Sequence, residues 1–410
     1  MFKMILSLSR TKITVLGVLL FLSYGHAQQQ KLAENNIGSV SIRTKFPGGN
    51  VHVEKNRAGT IHVAPDLRGD NPWFYWYFEA KATQPGRVTF VFPKKVIGFK
   101  NGAIGYQGPA ISADQGKTWQ WMGTETVQEN TFYYDFKKAG EEIRFAVTIP
   151  YVQTNLDRFL EKYAKNPHLK RSVLTKSRAG RKVDLLRIGT PGPNKIAVLM
   201  TARHHAVETM ASYVLEGILQ EAMSDSPDGN AFRKKYVLFV VPIVDRDGVE
   251  KGDQGKNRKP VDYNRDYGEK SIHPEVRAIK QLHAKQKFRI TLDFHCPTLV
   301  MKDHQVMYFI GPKEQPEHNF ENVSAFAERI KSGLPKSAPY GPLVWLRTGK
   351  KFLPMNSYYF AFQKGVLMAA TLEFPFAPPG KATDPASCRR YGQIILQAFA
   401  ASRFSSTPEK

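Results

Sequence analysis

A histidine and a glutamate three residues apart, His205-Ala-Val-Glu208, sit at the seam between an apolar run and an amphipathic one. Imidazole nitrogen and carboxylate oxygen both bind zinc well, and catalytic zinc sites are often built from His/Glu sets that leave one position open. Ahead of the pair, residues 196–200 form a continuous apolar run with β-branched residues, the pattern of a buried strand. Behind it, Val207, Met210, Val214 and Ile218 make one apolar stripe of a helix predicted over residues 206–223. This places both side chains on a first helical turn, pointing the same way. They then lie at the carboxyl end of a strand, where open α/β sheets bind ligands. The alternative is a plain helix start with a favourable carboxylate in its first turn. In a chain with 11 His, the spacing alone does not decide. His318-Asn-Phe-Glu321 repeats it without a strand end before it and reads as a solvated helix start.

Three other stretches hold chemistry-bearing residues. Ile290-Thr-Leu-Asp-Phe-His295 is a strand whose last residue is a histidine. On a period of two, His295 shares a face with Asp293 while Cys296 points away. A strand-end histidine can be a third metal ligand or can simply bond to backbone. Val261-Asp-Tyr-Asn-Arg265 falls in a long polar loop, where the arginine offers a planar fork suited to a carboxylate; the plain reading is a solvated charged loop. Thr371-Leu-Glu373 ends another apolar strand, where a carboxylate is unfavourable without a purpose or a buried base to pair with.

Two kinds of element must position these groups. Residues 38–150 carry short alternating runs such as Val40-Ser-Ile-Arg-Thr44 and Arg87-Val-Thr-Phe-Val-Phe92, separated by turn signals such as Pro47-Gly48-Gly49 and Pro85-Gly86. They predict a small antiparallel β-sandwich within residues 28–152. The aromatics of residues 73–78 belong in or beside its core rather than on a sugar-binding face, since alternation turns only half of them outward. Beyond it, strands are predicted at 182–189, 195–200, 236–242, 290–295, 305–310 and 366–374. Helices are predicted at 156–163, 206–223, 274–285, 320–332 and 384–402. Residues 153–410 therefore read as an α/β domain, a mixed sheet covered by helices on both faces.

Residues 1–27 read as a secretory signal. Lys3, Arg10 and Lys12 accompany an apolar core at 13–22 that is too short to span a bilayer, and Gly25-His26-Ala27 supplies small residues at the cleavage positions. The mature chain is expected to start at Gln28, to be periplasmic or secreted, and to carry no later membrane span. The net charge of +23 favours anionic partners. No basic helix or nucleic-acid motif accompanies it, so no nucleic acid is expected. With only Cys296 and Cys388, disulfides do not hold the fold together.

Taken in order, His205-x-x-Glu208, Asp247-Gly248, Asp262-Tyr-Asn264-Arg265, the strand-end His295 and the strand-end Glu373 resemble a zinc metallocarboxypeptidase. The set is closest to the cytosolic carboxypeptidase-like branch, here in an exported, bacterial-type form, whose members carry a small β-sandwich before the catalytic domain. Asn71-Pro-Trp-Phe-Tyr-Trp-Tyr-Phe78 and Ala202-Arg-His-His-Ala-Val-Glu-Thr209 resemble that branch too, as does the run 145–156 with Tyr151 before a helix. The resemblance covers nearly all of residues 28–405.

It implies one zinc ion, with His205, Glu208 and His295 as ligands. Glu373 would be the base that activates the attacking water. Asn264 and Arg265 would grip the terminal carboxylate of a peptide substrate, and Asp262 would orient a ligand histidine, as metal sites commonly require. Arg258 is the candidate for the arginine that polarises the scissile carbonyl, at an unusual spacing from Arg265. Arg246-Asp247-Gly248 stands where many relatives have Asn-Pro-Asp-Gly. Tyr358 and Tyr359 are the candidates for the mobile capping tyrosine.

The residue chemistry agrees with these roles: three protein ligands leave the metal a water site, and a carboxylate can take and return a proton. Two other readings remain. A zinc deacylase, amidase or cell-wall peptide hydrolase would use the same scaffold on a different substrate. A non-catalytic cell-wall-binding protein would need none of the four groups His205, Glu208, His295 and Glu373.

Overall fold

The computed structural model describes residues 35–37, 39–57, 59–68, 74–94, 103–299, 305–310, 315–339, 341, 354–378 and 383–404. The signal at 1–27 and Trp73 lie outside the described residues.

The amino-terminal part is built of short strands: β1 (Asn35–Ile37), β2 (Val40–Arg43), β3 (His52–Arg57), β4 (Thr60–Ala64), β5 (Tyr77–Ala82), β6 (Gly86–Val91), β7 (Ala110–Ser112), β8 (Gln120–Trp121), β9 (Val127–Gln128), β10 (Thr131–Phe136) and β11 (Glu142–Ala146). They form two sheets, ordered β1-β2-β5-β11-β7-β8 and β3-β4-β6-β10-β9. The expected antiparallel pairing holds for these strands except β4 and β6, which run parallel. Aromatic rings fill the core. Trp76 and Phe78 lie 5.7 Å apart, Phe78 and Phe90 5.2 Å, and Phe90 and Phe132 4.9 Å between centroids. Burial of each such ring contributes about 1.5–3 kcal/mol.

Every residue from Phe74 to Phe78 is buried, not every second one. Tyr77 is covered within the sandwich by Phe46 and Trp119, and the Tyr75 hydroxyl donates to Gly48 O at 2.9 Å; the start of the stretch is covered by the carboxyl-terminal part. Phe74 meets Phe376 edge-on at 5.9 Å, and its N–H donates to Gln254 Oε1 at 2.8 Å.

That carboxyl-terminal part begins with α1 (Gln153–Glu161), β12 (Leu169–Lys176), β13 (Lys182–Ile188), β14 (Ile196–Ala202), α2 (Thr209–Met223), α3 (Pro227–Lys235), β15 (Tyr236–Val241) and α4 (Arg246–Lys251). It continues with a 3-10 turn at Tyr263–Arg265, then α5 (Pro274–Gln286), β16 (Ile290–His295), β17 (Tyr308–Ile310), α6 (Glu317–Gly333), α7 (Asn356–Ala361), β18 (Met368–Glu373) and α8 (Pro385–Ala401). The sheet order is β12-β13-β15-β14-β16-β18-β17. The central four strands are parallel, and the outer pairings are antiparallel. This is the expected mixed sheet. β15, β16 and β18 are buried at every position, as helices on both faces require. α2 and α8 cross where Gly217 and Gly392 let the backbones touch; a Cβ on Gly217 would lie 1.9 Å from the Arg389 carbonyl oxygen.

Several elements differ from the expectation. β12 was missed because it is an edge strand whose burial is mostly partial or nil, so no apolar run marks it. α3, α4 and α7 are short helices with no long periodic pattern. The 305–310 strand is reduced to Tyr308–Ile310.

The parallel strands end together, which brings distant sequence to one place. Ala202 pairs with Phe294, and His295 pairs with Glu373, across neighbouring strands. Among the described residues, no helix is long and apolar enough to cross a membrane.

Candidate active site

The His205–Glu208 turn is held by its neighbours rather than by a helix. Arg203 adopts φ +64°, an uncommon left-handed conformation that swings the chain off β14. Its buried guanidinium then donates to Ala206 O, to Tyr151 O at 2.8 Å and to Ser212 Oγ at 3.1 Å. The Val207 N–H goes to Gln254 O at 3.0 Å. As a result α2 starts at Thr209, with Glu208 as its cap residue. The expectation that both side chains stand on a first helical turn is therefore corrected. They still meet, with His205 Nδ1 2.9 Å from Glu208 Oε1.

His295, at the end of β16, completes the group. Its Nδ1 lies 2.7 Å from Glu208 Oε2. Ligand atoms of His205, Glu208 and His295 all lie within 4.8 Å of one another, and all three residues are buried. Each histidine is oriented from behind by a carboxylate. Asp293 Oδ2 is 2.7 Å from His295 Nε2, and Asp262 Oδ1 is 3.5 Å from His205 Nε2. A proton held on Nε2 leaves the Nδ1 lone pair of a neutral ring facing Glu208. Glu208 is fully buried, with its two oxygens turned to His205 Nδ1 and His295 Nδ1; beside neutral rings it is a buried carboxylate that a cation relieves. Two imidazole nitrogens and one carboxylate, oriented this way, are a donor set that fits zinc.

A second group, His204, Asp293 and His295, also clusters. Its donors are already used: His204 Nδ1 bonds Asp293 at 2.8 Å and Nε2 bonds the Tyr267 hydroxyl at 2.8 Å, while Thr201 Oγ1 donates to Asp293 at 2.7 Å. That set reads as the scaffold behind His295.

Burial and charge compete throughout. Burial opposes ionisation of Glu208, but His295, Lys256 and His205 hold its carboxyl well below the usual range. Burial likewise opposes Asp262, which His205 and Arg265 bring down to about 2. Burial would lower His205, yet Glu208 and Asp262 leave it above its ordinary value. Glu373 goes the other way: burial raises it, with Lys256 and His295 only partly offsetting. One of its oxygens, Oε2, has no hydrogen-bond partner among the described residues.

The remaining candidates are placed as follows. Asn264 is buried; its Nδ2 lies 3.3 Å from His295 Nε2, and its Oδ1 accepts the Asn356 N–H at 3.0 Å at the start of α7. Arg265 is half-buried beside it, its Nη1 3.4 Å from Asn264 O. Arg258 is turned to other work. Its Nη2 donates to the fully buried Asp245 at 2.8 Å and to Asp253 at 3.1 Å. Tyr358 packs at a tilt against Phe362, and Tyr359 meets Phe360 edge-on and Tyr267 at a tilt. His318, in α6, is not fully solvated, since its Nε2 lies 3.0 Å from Val366 O.

Lys256 is the residue that sequence reasoning missed. Its Nζ lies 2.9 Å from Glu208 Oε1 and donates to Cys296 O at 2.7 Å. In the run Lys256-Asn-Arg-Lys-Pro260 it looks like one more solvated base. Tyr308, paired with Glu373 across β17 and β18, was also missed; it stands in the field of Glu373 and Glu208.

Residues 156–342 match the zinc carboxypeptidase family, Peptidase_M14. Cytosolic carboxypeptidase 2 of Xenopus tropicalis is 26% identical over 331 residues, 71% of this chain and 34% of that protein. The chain thus spans about a third of that relative's length. The fold is that of bacterial metallocarboxypeptidases. The Burkholderia cenocepacia metallo-carboxypeptidase superposes with a TM-score of 0.75 at 22% identity, over 88% of this chain and 98% of that one. The Pseudomonas aeruginosa metallo-carboxypeptidase, solved in complex with (2-guanidinoethylmercapto)succinic acid, gives a TM-score of 0.73 at 22% identity over the same shares.

Proposed function

We propose that the protein is a zinc-dependent carboxypeptidase that removes the C-terminal residue of peptides, with one zinc ion held by His205 Nδ1, Glu208 and His295 Nδ1. The observation that carries this reading is the convergence of those three buried side chains, with Glu373 on the strand position next to His295. Zinc in such a set supplies Lewis acidity toward a water and a carbonyl oxygen.

The chain's own groups supply the rest. Asp262 and Asp293 hold the two histidine rings in the tautomer that presents Nδ1. Glu373, raised by burial, is suited to take a proton from the attacking water near neutrality and to return it to the leaving amine. Arg265, with Asn264 beside it, offers a two-pronged grip on a free carboxylate. An internal peptide bond presents no carboxylate there, so cleavage is confined to the chain end.

The test is incubation of zinc-loaded protein with a mixed peptide library, with products read by mass spectrometry. Loss of single C-terminal residues is expected, abolished by chelation and restored by zinc. Cleavage of N-acyl amino acids in preference to peptides would move the site to a deacylase. The order of basic, apolar and small residues in 1–27 further supports export, checked by finding Gln28 as the mature amino terminus.

A further inference from the structure

We propose that Lys256, and not Arg258, is the cation that polarises the scissile carbonyl and holds the negative charge that develops on its oxygen. This rests on the carboxypeptidase reading above.

Cleavage needs more than a nucleophile and a base. When water adds to the carbonyl carbon, the C=O π electrons move onto oxygen while the water's proton passes to Glu373. When the C–N bond breaks, that proton goes to the amine. A fixed donor aimed at the oxygen is commonly the largest single contribution to such a step.

Among the described residues, four arginines and lysines are considered, and three are committed elsewhere. Arg203 is buried against Ala206 O, Tyr151 O and Ser212 Oγ. Arg265 is the candidate clamp for the terminal carboxylate. Arg258 is bound into an ionic seam. Asp245 and Asp253 both accept from its Nη2, and Asp253 in turn pairs with Arg68 of the β-sandwich. Freeing Arg258 would strand Asp245, which is fully buried, at a large cost.

Lys256 has the required position. Its ammonium touches Glu208 and stands in the field of Glu373. An ammonium has three donors; among the described residues Glu208 and Cys296 O account for two, which leaves one for a substrate oxygen. Its main chain is bolted to the His205–Glu208 turn. Gly255, at φ +85°, lies so close that a Cβ there would sit 2.6 Å from Ala206 N and 2.9 Å from His205 Cα. Gln254 O takes the Val207 N–H, and Gln254 Oε1 takes the N–H of Phe74 from the sandwich. A metal ion on Glu208 would also weaken that residue's hold on Lys256. A mostly covered ammonium at the reaction centre is then left to find a new acceptor, and the carbonyl oxygen is one.

Zinc-loaded Lys256→Met, Lys256→Arg and Arg258→Met are compared with the parent protein. Peptide turnover and zinc content are measured. Calorimetry gives the affinity for a peptide phosphonate, which mimics the tetrahedral state, and for a ground-state peptide product. Lys256→Met is expected to keep zinc and to lose about a hundredfold in kcat. Phosphonate affinity should fall in proportion while product affinity holds. Lys256→Arg should recover part of the phosphonate affinity. Arg258→Met should melt earlier without changing the ratio of phosphonate to product affinity.

The inference is overturned if Lys256→Met binds the phosphonate like the parent, if both ligands weaken equally, or if Arg258→Met alone shows the selective loss. A parent that neither cleaves peptides nor binds the phosphonate removes this inference together with the reading beneath it. A parent that does both, beside a Lys256→Met protein with full phosphonate affinity, removes this inference alone.

Discussion

The β-sandwich core and the cluster at the strand ends are both buried, apart from the partly covered Lys256, and oppositely made. Trp76, Phe78, Phe90, Phe132 and Phe145 are apolar rings packed on one another, so each contributes roughly by the area it hides. His205, Glu208, Asp262, Asp293, His295, Lys256 and Glu373 are ionisable, and each depends on a particular partner. Burial of the first group is its own reward; burial of the second is a cost that named neighbours must offset. A substitution in the sandwich core should therefore be read out as stability. One at the strand ends should be read out as metal, protonation or rate.

The largest effect is expected where the contrast is sharpest. Trp76→Ala removes a ring with no exposure whose indole N–H donates to Ala103 O at 2.9 Å. It should cost about 3–5 kcal/mol in denaturant unfolding and leave the zinc content of the folded fraction at the parent value. Zinc loss at unchanged stability would erase the distinction between the two regions.

Glu373→Gln comes next. It keeps the side-chain volume and should retain zinc while turnover falls at least about a hundredfold, the usual scale of general base catalysis. His295→Ala beside it should lose both zinc and activity, because it removes a donor and leaves Glu208 Oε2 and Asp293 Oδ2 facing nothing. Metal analysis with a rate assay on the pair separates base from ligand. A zinc-free Glu373→Gln protein would make Glu373 a ligand, and one turning over near the parent rate would remove it from the chemistry.

Arg265→Ala should be milder still. Loss of a charge-assisted bond of about 1.5–3 kcal/mol lowers kcat/KM on free-carboxylate peptides by about ten- to a hundredfold, with zinc intact. If the variant keeps the parent's preference for free over amidated C-termini, the clamp lies elsewhere.

The same contrast explains what was legible in the sequence. Strand ends are where apolar runs stop, so His295 and Glu373 could be read from patterning, and the parallel register then places them side by side. The sandwich showed in its alternation, although the burial of every residue of Phe74–Phe78 depends on partners distant in sequence, Phe46, Trp119, Gln254 and Phe376, and could not. The loop after β15 was opaque because tertiary contacts set its shape. Gly255 lies against His205, Gln254 O captures the Val207 N–H, and Asp245 with Asp253 captures Arg258. Nothing local marks Lys256 as different from Lys259. The late start of α2 has the same origin, since Arg203 at φ +64° and the loop packed against His205 set the backbone ahead of Thr209.

The smallest expected effect is a deliberate zero. Histidine is a good metal ligand wherever it stands, so the sandwich residues His52 and His62 are the natural challenge to a division of labour between the two regions. They sit on adjacent strands, β3 and β4, where His52 is exposed and His62 half-buried on the alternation that sends Ile61 and Val63 inward. Among the described residues, neither joins a group of ligand atoms close enough to hold an ion, whereas His205 and His295 do. His52 is paired across the ladder with Ala64 and His62 with Lys55, which offer no donor for a metal. The double variant His52→Ala with His62→Ala should keep zinc stoichiometry, turnover and, within about 0.5 kcal/mol, stability. Atomic absorption on the purified double variant decides the point. A drop in bound zinc would mean that the sandwich reaches the metal after all, and the two regions would have to be treated as one site.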